Sequence, residues 1–142
     1  MNILIINGPN LNLIGKRNPK VYGTQSMEQT LVDIQRRWSE AHFVYKQSNH
    51  EGNIIDWLQN GTAFDGVILN AGGYSHTSIA IRDAVEYLRE QSIPVIEVHI
   101  SDIYSREDFR KHSLLADVCS HSIVGQGIKG YELAIEKVMT KK

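Results

Sequence analysis

Arg17 and Tyr22 share one polar loop, GKRNPKVYG (15–23), and this pairing is the first feature of the chain that could do chemistry. A phenol with a reference pKa of about 10 is a poor base at neutral pH. A guanidinium beside it favours the phenolate, so Arg17 close to Tyr22 would make the tyrosine a base. Histidine is the natural acid to set opposite, and Glu97, two places before His99, could fix its tautomer and keep it protonated. Further donors and acceptors follow other apolar runs: Asn10 and Asn12; Asn49, His50 and Glu51; Asn70, Tyr74, Ser75 and His76; Ser101, Arg106 and Arg110. Each has a plainer reading when it stands alone. Asn7 and Asn70 could cap turns, His76 could open a helix, His99 could be a satisfied core histidine, and Arg17 could be a solvated surface charge. The functional reading rests on their convergence.

Other chemistries find little support. GPNLNLIG follows the first apolar run where a phosphate-binding or dinucleotide-binding glycine loop would stand. GQGIKG (125–130) has dinucleotide-type glycine spacing, but it follows the last strand-like run, with none beyond to complete the unit. The six histidines are scattered, with no H-x-x-x-H and no cysteine pair, so no metal is expected. What remains is proton donors and acceptors plus positive charge. That set suits general acid-base chemistry on a small polar, anionic molecule, as a lyase, an isomerase or a binder of polar acids.

The elements that must position these residues are legible in the rhythm of the chain. Apolar runs at 3–7, 42–48, 65–70, 93–101 and 118–124 read as strands. Helical periodicity falls between them. Ser26 with Gln29 offers a capping box before Leu31, Ile34 and Trp38, 53–58 is a short helix, and Ile81, Ala84, Val85 and Leu88 share one helix face. A short capped helix is expected at 105–109 and a closing one at 131–139. Five strand-helix alternations predict a doubly wound α/β protein: a five-stranded parallel sheet in flavodoxin-like order, in three α/β/α layers. Ligands of such sheets bind at the carboxyl ends of the strands, where nearly all the residues above fall.

At 142 residues the chain reads as one domain, 1–142. Lys plus Arg, 15, nearly balances Asp plus Glu, 16, so neither nucleic acid nor a membrane is the expected partner. One cysteine, Cys119, allows no internal disulfide and fits a reducing compartment. The opening MNILIIN resembles neither a signal peptide nor a membrane span, and a cytoplasmic location is expected.

INGPNLNLIGKRNPKVYG, SNHEG, LNAGGYSHTSIAIRDA, VIEVHISDIYSREDFRKHS and GIKGYELAIE, in this order, resemble the type II 3-dehydroquinate dehydratases of the shikimate and quinate pathways. The resemblance implies a hydro-lyase that needs neither metal nor cofactor and takes water from 3-dehydroquinate through an enolate to give 3-dehydroshikimate. It implies Tyr22 as base, Arg17 as its activator, Asn10 as holder of a water near the enolate oxygen, and His99, backed by Glu97, as acid. It implies substrate contacts from Asn70, His76, Ile100, Ser101 and Arg110. Asp83, from a neighbouring subunit, is the further contact it implies, within a homododecamer built as a tetramer of trimers. The loop of Arg17 and Tyr22 would be a lid.

Departures from the family pattern are few: Asn18 where glutamate is common, Asp102 where asparagine is, and Tyr104 where histidine is. Asp102 is the one that could alter affinity for an anion. Two rivals come from other classes. A receiver domain would need aspartates where Asn7 and Asn70 stand; a flavin binder, or an inactive binder of a small polar acid, would share the fold without the turnover.

Overall fold

The computed structural model describes residues 1–18, 20 and 24–140. Its five strands are β1 (Asn2–Asn7), β2 (His42–Gln47), β3 (Gly66–Asn70), β4 (Val95–His99) and β5 (His121–Val124). Four α-helices lie among the described residues: α1 (Met27–Arg37), α2 (Glu51–Gln59), α3 (Ile79–Glu90) and α4 (Gly130–Met139). The sheet is parallel throughout, in the order β2-β1-β3-β4-β5, as the alternation predicts.

Apolar residues on both faces of a strand require cover on both sides, and the helices divide accordingly. Ile3 and Ile5 join Ile34 of α1 and Tyr131, Ala134 and Ile135 of α4 in one core. Leu4 and Ile6 join Ile54 and Leu58 of α2 and Ile81, Val85 and Leu88 of α3 in the other. Burying each such aliphatic side chain contributes about 1.5–3 kcal/mol.

Several boundaries differ from expectation, each for a local reason. The Ser26 hydroxyl accepts from the Gln29 amide at 3.1 Å, but the Gln29 side chain turns to Asp33 at 2.9 Å, so the capping box closes only halfway. α2 runs from Glu51, two residues ahead of its expected start. β5 starts at His121, because the amides of Val118 and Cys119 turn back to the Leu115 carbonyl. The expected helix over 105–109 is two 3₁₀ turns, Ile103–Ser105, capped by Asp102, and Asp108–Arg110. β4 leaves the sheet after His99, where the Gly125 and Gly127 amides take the carbonyls of His99 and Ile100. Lys20 is helical within what reads as a plain loop. No helix among the described residues is long and apolar enough to cross a membrane.

Candidate active site

β1 and β3 end side by side, with Asn7 aligned to Asn70, and the chain must turn sharply beyond both. The Gly8 amide donates to the Asn70 carbonyl at 2.8 Å, and a Cβ on Gly8 would lie 2.6 Å from the Ala71 oxygen, so only glycine fits. Asn10 then adopts φ 69°, its amide held by the Asn49 side chain at 3.0 Å. Left-handed backbone is a conformation that asparagine tolerates better than most residues.

Behind the turn lies a buried polar network. The Tyr131 hydroxyl donates to Asn7 Oδ1 at 2.7 Å, Asn70 Nδ2 donates to that hydroxyl at 3.1 Å, and Asn7 Nδ2 donates to the Tyr45 hydroxyl at 3.1 Å. Asn70 Oδ1 accepts from the Gly72 amide, which shapes the turn that carries His76. His76 Nδ1 donates to the His112 carbonyl at 2.9 Å, leaving Nε2 as the nitrogen for a ligand.

On β4, residues two apart point to the same face, which brings Glu97 and His99 together. His99 Nε2 and Glu97 Oε2 are 2.7 Å apart, and both side chains are buried. Glu97 also accepts from the hydroxyls of Ser113 and, at 2.7 Å, Ser122. Burial works to raise the Glu97 pKa, but hydrogen bonds from His99, Ser113 and Ser122, with the His99 charge, hold it below its ordinary value. The His76 ring stacks on His99 with centroids 6.1 Å apart.

These elements enclose a cavity of about 200 Å³ at the carboxyl edge of the sheet. Asn10, Arg17, Asn70, His76, His99, Ile100, Ser101 and Arg110 all line it. So does Arg106, whose Nη1 donates to the Ser101 hydroxyl at 3.2 Å. No Asp or Glu lines it among the described residues, so its fixed charge comes from three arginines. Arg110 is anchored from outside by Glu107, 3.1 Å from Nε to each carboxylate oxygen. No group of three His, Cys, Asp or Glu among the described residues is placed to hold a metal ion.

Two expected residues are not in this gathering. Tyr22 lies outside the described residues. Asp83 is exposed on α3, away from its own chain's cavity. Asp102 faces a neighbouring cleft with Lys20, Gly125 and Gly127. Cys119 is partly buried, its thiol pushed well above the ordinary range by burial and by Glu97 and Asp117 nearby, which makes it a poor nucleophile.

The family model for class II dehydroquinase matches residues 1–139. The chain belongs to that family. A 3-dehydroquinate dehydratase from an Exiguobacterium species is 49% identical over 140 residues, covering 98% of this chain and 94% of the relative. The type II dehydroquinase structure from Butyrivibrio crossotus superposes with a TM-score of 0.91 at 42% identity, covering 99% of this chain and 98% of that one. The type II dehydroquinase from Propionibacterium acnes gives 0.89 at 35% identity, over 99% and 97%.

Sequence reasoning missed Ser113, Ser122, Tyr45 and Tyr131. The register aligns Ser122 with Glu97, a relation that spacing along the chain cannot show. Ser113 lies in irregular chain, where no periodicity marks it.

Proposed function

We propose that this hydro-lyase removes water from 3-dehydroquinate to give 3-dehydroshikimate, in the shikimate pathway or in quinate breakdown, by acid-base elimination without cofactor or metal. Arg17 favours the phenolate of Tyr22, which takes the proton next to the ketone. The electrons left behind form an enolate, whose oxygen faces a water held by Asn10. The enolate then re-forms the ketone and expels the hydroxyl, which takes a proton from His99 and departs as water. Asn70, His76, Ile100, Ser101 and Arg110 hold the substrate, and its carboxylate suits a cavity lined by cations. Asp83 completes the site of a neighbouring subunit in a cytoplasmic homododecamer, and the loop of Arg17 and Tyr22 closes over the substrate to exclude water.

The observation that carries this reading is the Glu97–His99 pair opening onto a cavity shared with Arg17 and Asn10. Enone absorbance should grow when 3-dehydroquinate is added to protein treated with chelator. Well-folded protein that binds 3-dehydroquinate without turning it over would sink the reading and leave an inactive binder. Borohydride with substrate should not inactivate the enzyme, since no lysine imine forms. Tyr22→Phe should abolish turnover while largely sparing substrate binding.

A further inference from the structure

We infer that Ser113 is a positioning residue that fixes where the protons sit on the Glu97–His99 pair; the consequence for catalysis rests on the proposed elimination, in which His99 is the donor. Ser113 does not line the cavity. It stands in the chain ahead of β5, a segment tied to the turn of His76 by the His112 carbonyl and by the Leu114 amide, which donates to the Ser75 carbonyl at 2.7 Å.

The Ser113 hydroxyl has two partners with different obligations. The Leu115 amide, 3.1 Å away, can only donate, so it occupies a lone pair of Oγ. The one hydroxyl proton is then what Ser113 has to offer Glu97 Oε2. Without that donor, a second arrangement of the pair would compete: a carboxylic proton on Oε2, given to the bare Nε2 of a neutral His99. Ser113 opposes it, because an oxygen already receiving one proton serves His99 best as an acceptor. Nε2 therefore carries its hydrogen toward Glu97, and Nδ1 is the nitrogen that holds the transferable proton. Ser122 donates to Oε1, the carboxylate oxygen that does not face His99 Nε2, so it supports the anion without choosing the pattern.

The titratable and charged groups around the pair are His76, stacked on His99, Arg17, Arg106 and Arg110, which line the same cavity as His99, and Cys119, in the segment before β5, with Asp117 beyond it. Among the described residues the side-chain donors to Glu97 are His99, Ser113 and Ser122, and of the two hydroxyls only that of Ser113 reaches Oε2.

The test is Ser113→Ala in the full chain, read by the pH profile of turnover and by the ¹⁵N shifts of the His99 ring, assigned with His99→Gln. Loss of part of the proton donor's effect should lower kcat about tenfold with KM within about twofold. The acid limb of the profile should move up in pH as Glu97 protonates more readily, and the Nε2 signal should move toward that of an unprotonated nitrogen. Ser113→Thr, which keeps the hydroxyl, should recover most of kcat. Folded Ser113→Ala with the wild-type profile and unchanged His99 shifts would overturn the inference, as would a larger effect from Ser122→Ala. If Ser113→Ala does not fold, Ser113→Cys, with its weak donor, should show the same displacements in smaller degree, and unchanged shifts there overturn the inference as well. Wild-type protein without turnover would defeat the proposed elimination, whereas the ¹⁵N shifts would still decide the role of Ser113.

Discussion

Two polar clusters, each built on a buried group, flank the sheet near the carboxyl ends of its strands, and they resolve the same conflict in opposite directions. On the α4 side, Asn7, Asn70, Tyr45 and Tyr131 form a neutral network. On the other, Glu97 gathers His99, Ser113 and Ser122 around one charge. In both, burial opposes ionisation and hydrogen bonds favour it. Burial wins at Tyr131, fully buried, whose phenol is pushed far above its ordinary value although the Asn70 amide pulls it down. Donors win at Glu97, 1% exposed, which stays below its ordinary value. A buried group can be rigid scaffold or reactive charge, and the number of donors aimed at it decides which.

The largest effects should come from breaking the charged side. His99→Ala should lower kcat by about 10²–10⁴-fold, the usual worth of a placed proton donor. Glu97→Gln should follow it in kcat while substrate binding changes less, because the amide returns a donor where His99 and Ser113 both need an acceptor. Steady-state kinetics with both variants would show whether the pair acts as one unit. Equal losses in kcat and in substrate affinity would instead make His99 a binding contact.

Breaking the neutral side should act on stability first. Tyr131→Phe leaves Asn7 Oδ1 and Asn70 Nδ2 without their partner, at a cost of about 1–3 kcal/mol. Urea unfolding should show that loss, with kcat changed far less than by His99→Ala.

The two clusters should also separate in pH. Glu97 has a lowered pKa in the folded state, so its contribution to stability is present above the unfolded value of about 4.3 and is lost as pH falls through the folded one. Tyr131 has a raised one, so its contribution is present below about 10 and is lost as pH rises from there toward the folded value. Urea midpoints against pH should therefore weaken at both ends. Tyr131→Phe should remove part of the alkaline loss, and Glu97→Gln part of the acid loss.

The same contrast explains what could be read from the sequence. The five strands were legible because each is a short apolar run, and the parallel order followed from their alternation with helices. Asn10, Asn70, His76 and His99 were legible as site candidates because polar residues directly after buried strands stand out. Ser113, Ser122, Tyr45 and Tyr131 were not, because each acquires its partner through register or packing. Tyr131 meets Asn7 across 124 positions of sequence. β5 was overextended for a related reason: Val118 is buried like a strand residue, yet its amide closes a turn, and apolar content alone does not separate the two.

Asp102 should give the smallest effect, although the sequence singles it out as an added carboxylate near an anion site. Its Oδ1 accepts from the Tyr104 amide at 3.0 Å, which aims it into a 3₁₀ turn, and it lines the neighbouring cleft instead of the cavity. Asparagine keeps that cap, so Asp102→Asn should change stability by less than about 0.5 kcal/mol and kcat/KM by less than about twofold. Its salt dependence should match wild type. An increase in kcat/KM at low salt that fades as salt screens the site would mean that the Asp102 charge reaches the substrate. The boundary between the cavity and its neighbouring cleft would then be electrostatically open, and the three arginines would no longer be the whole account of the charge that the substrate meets.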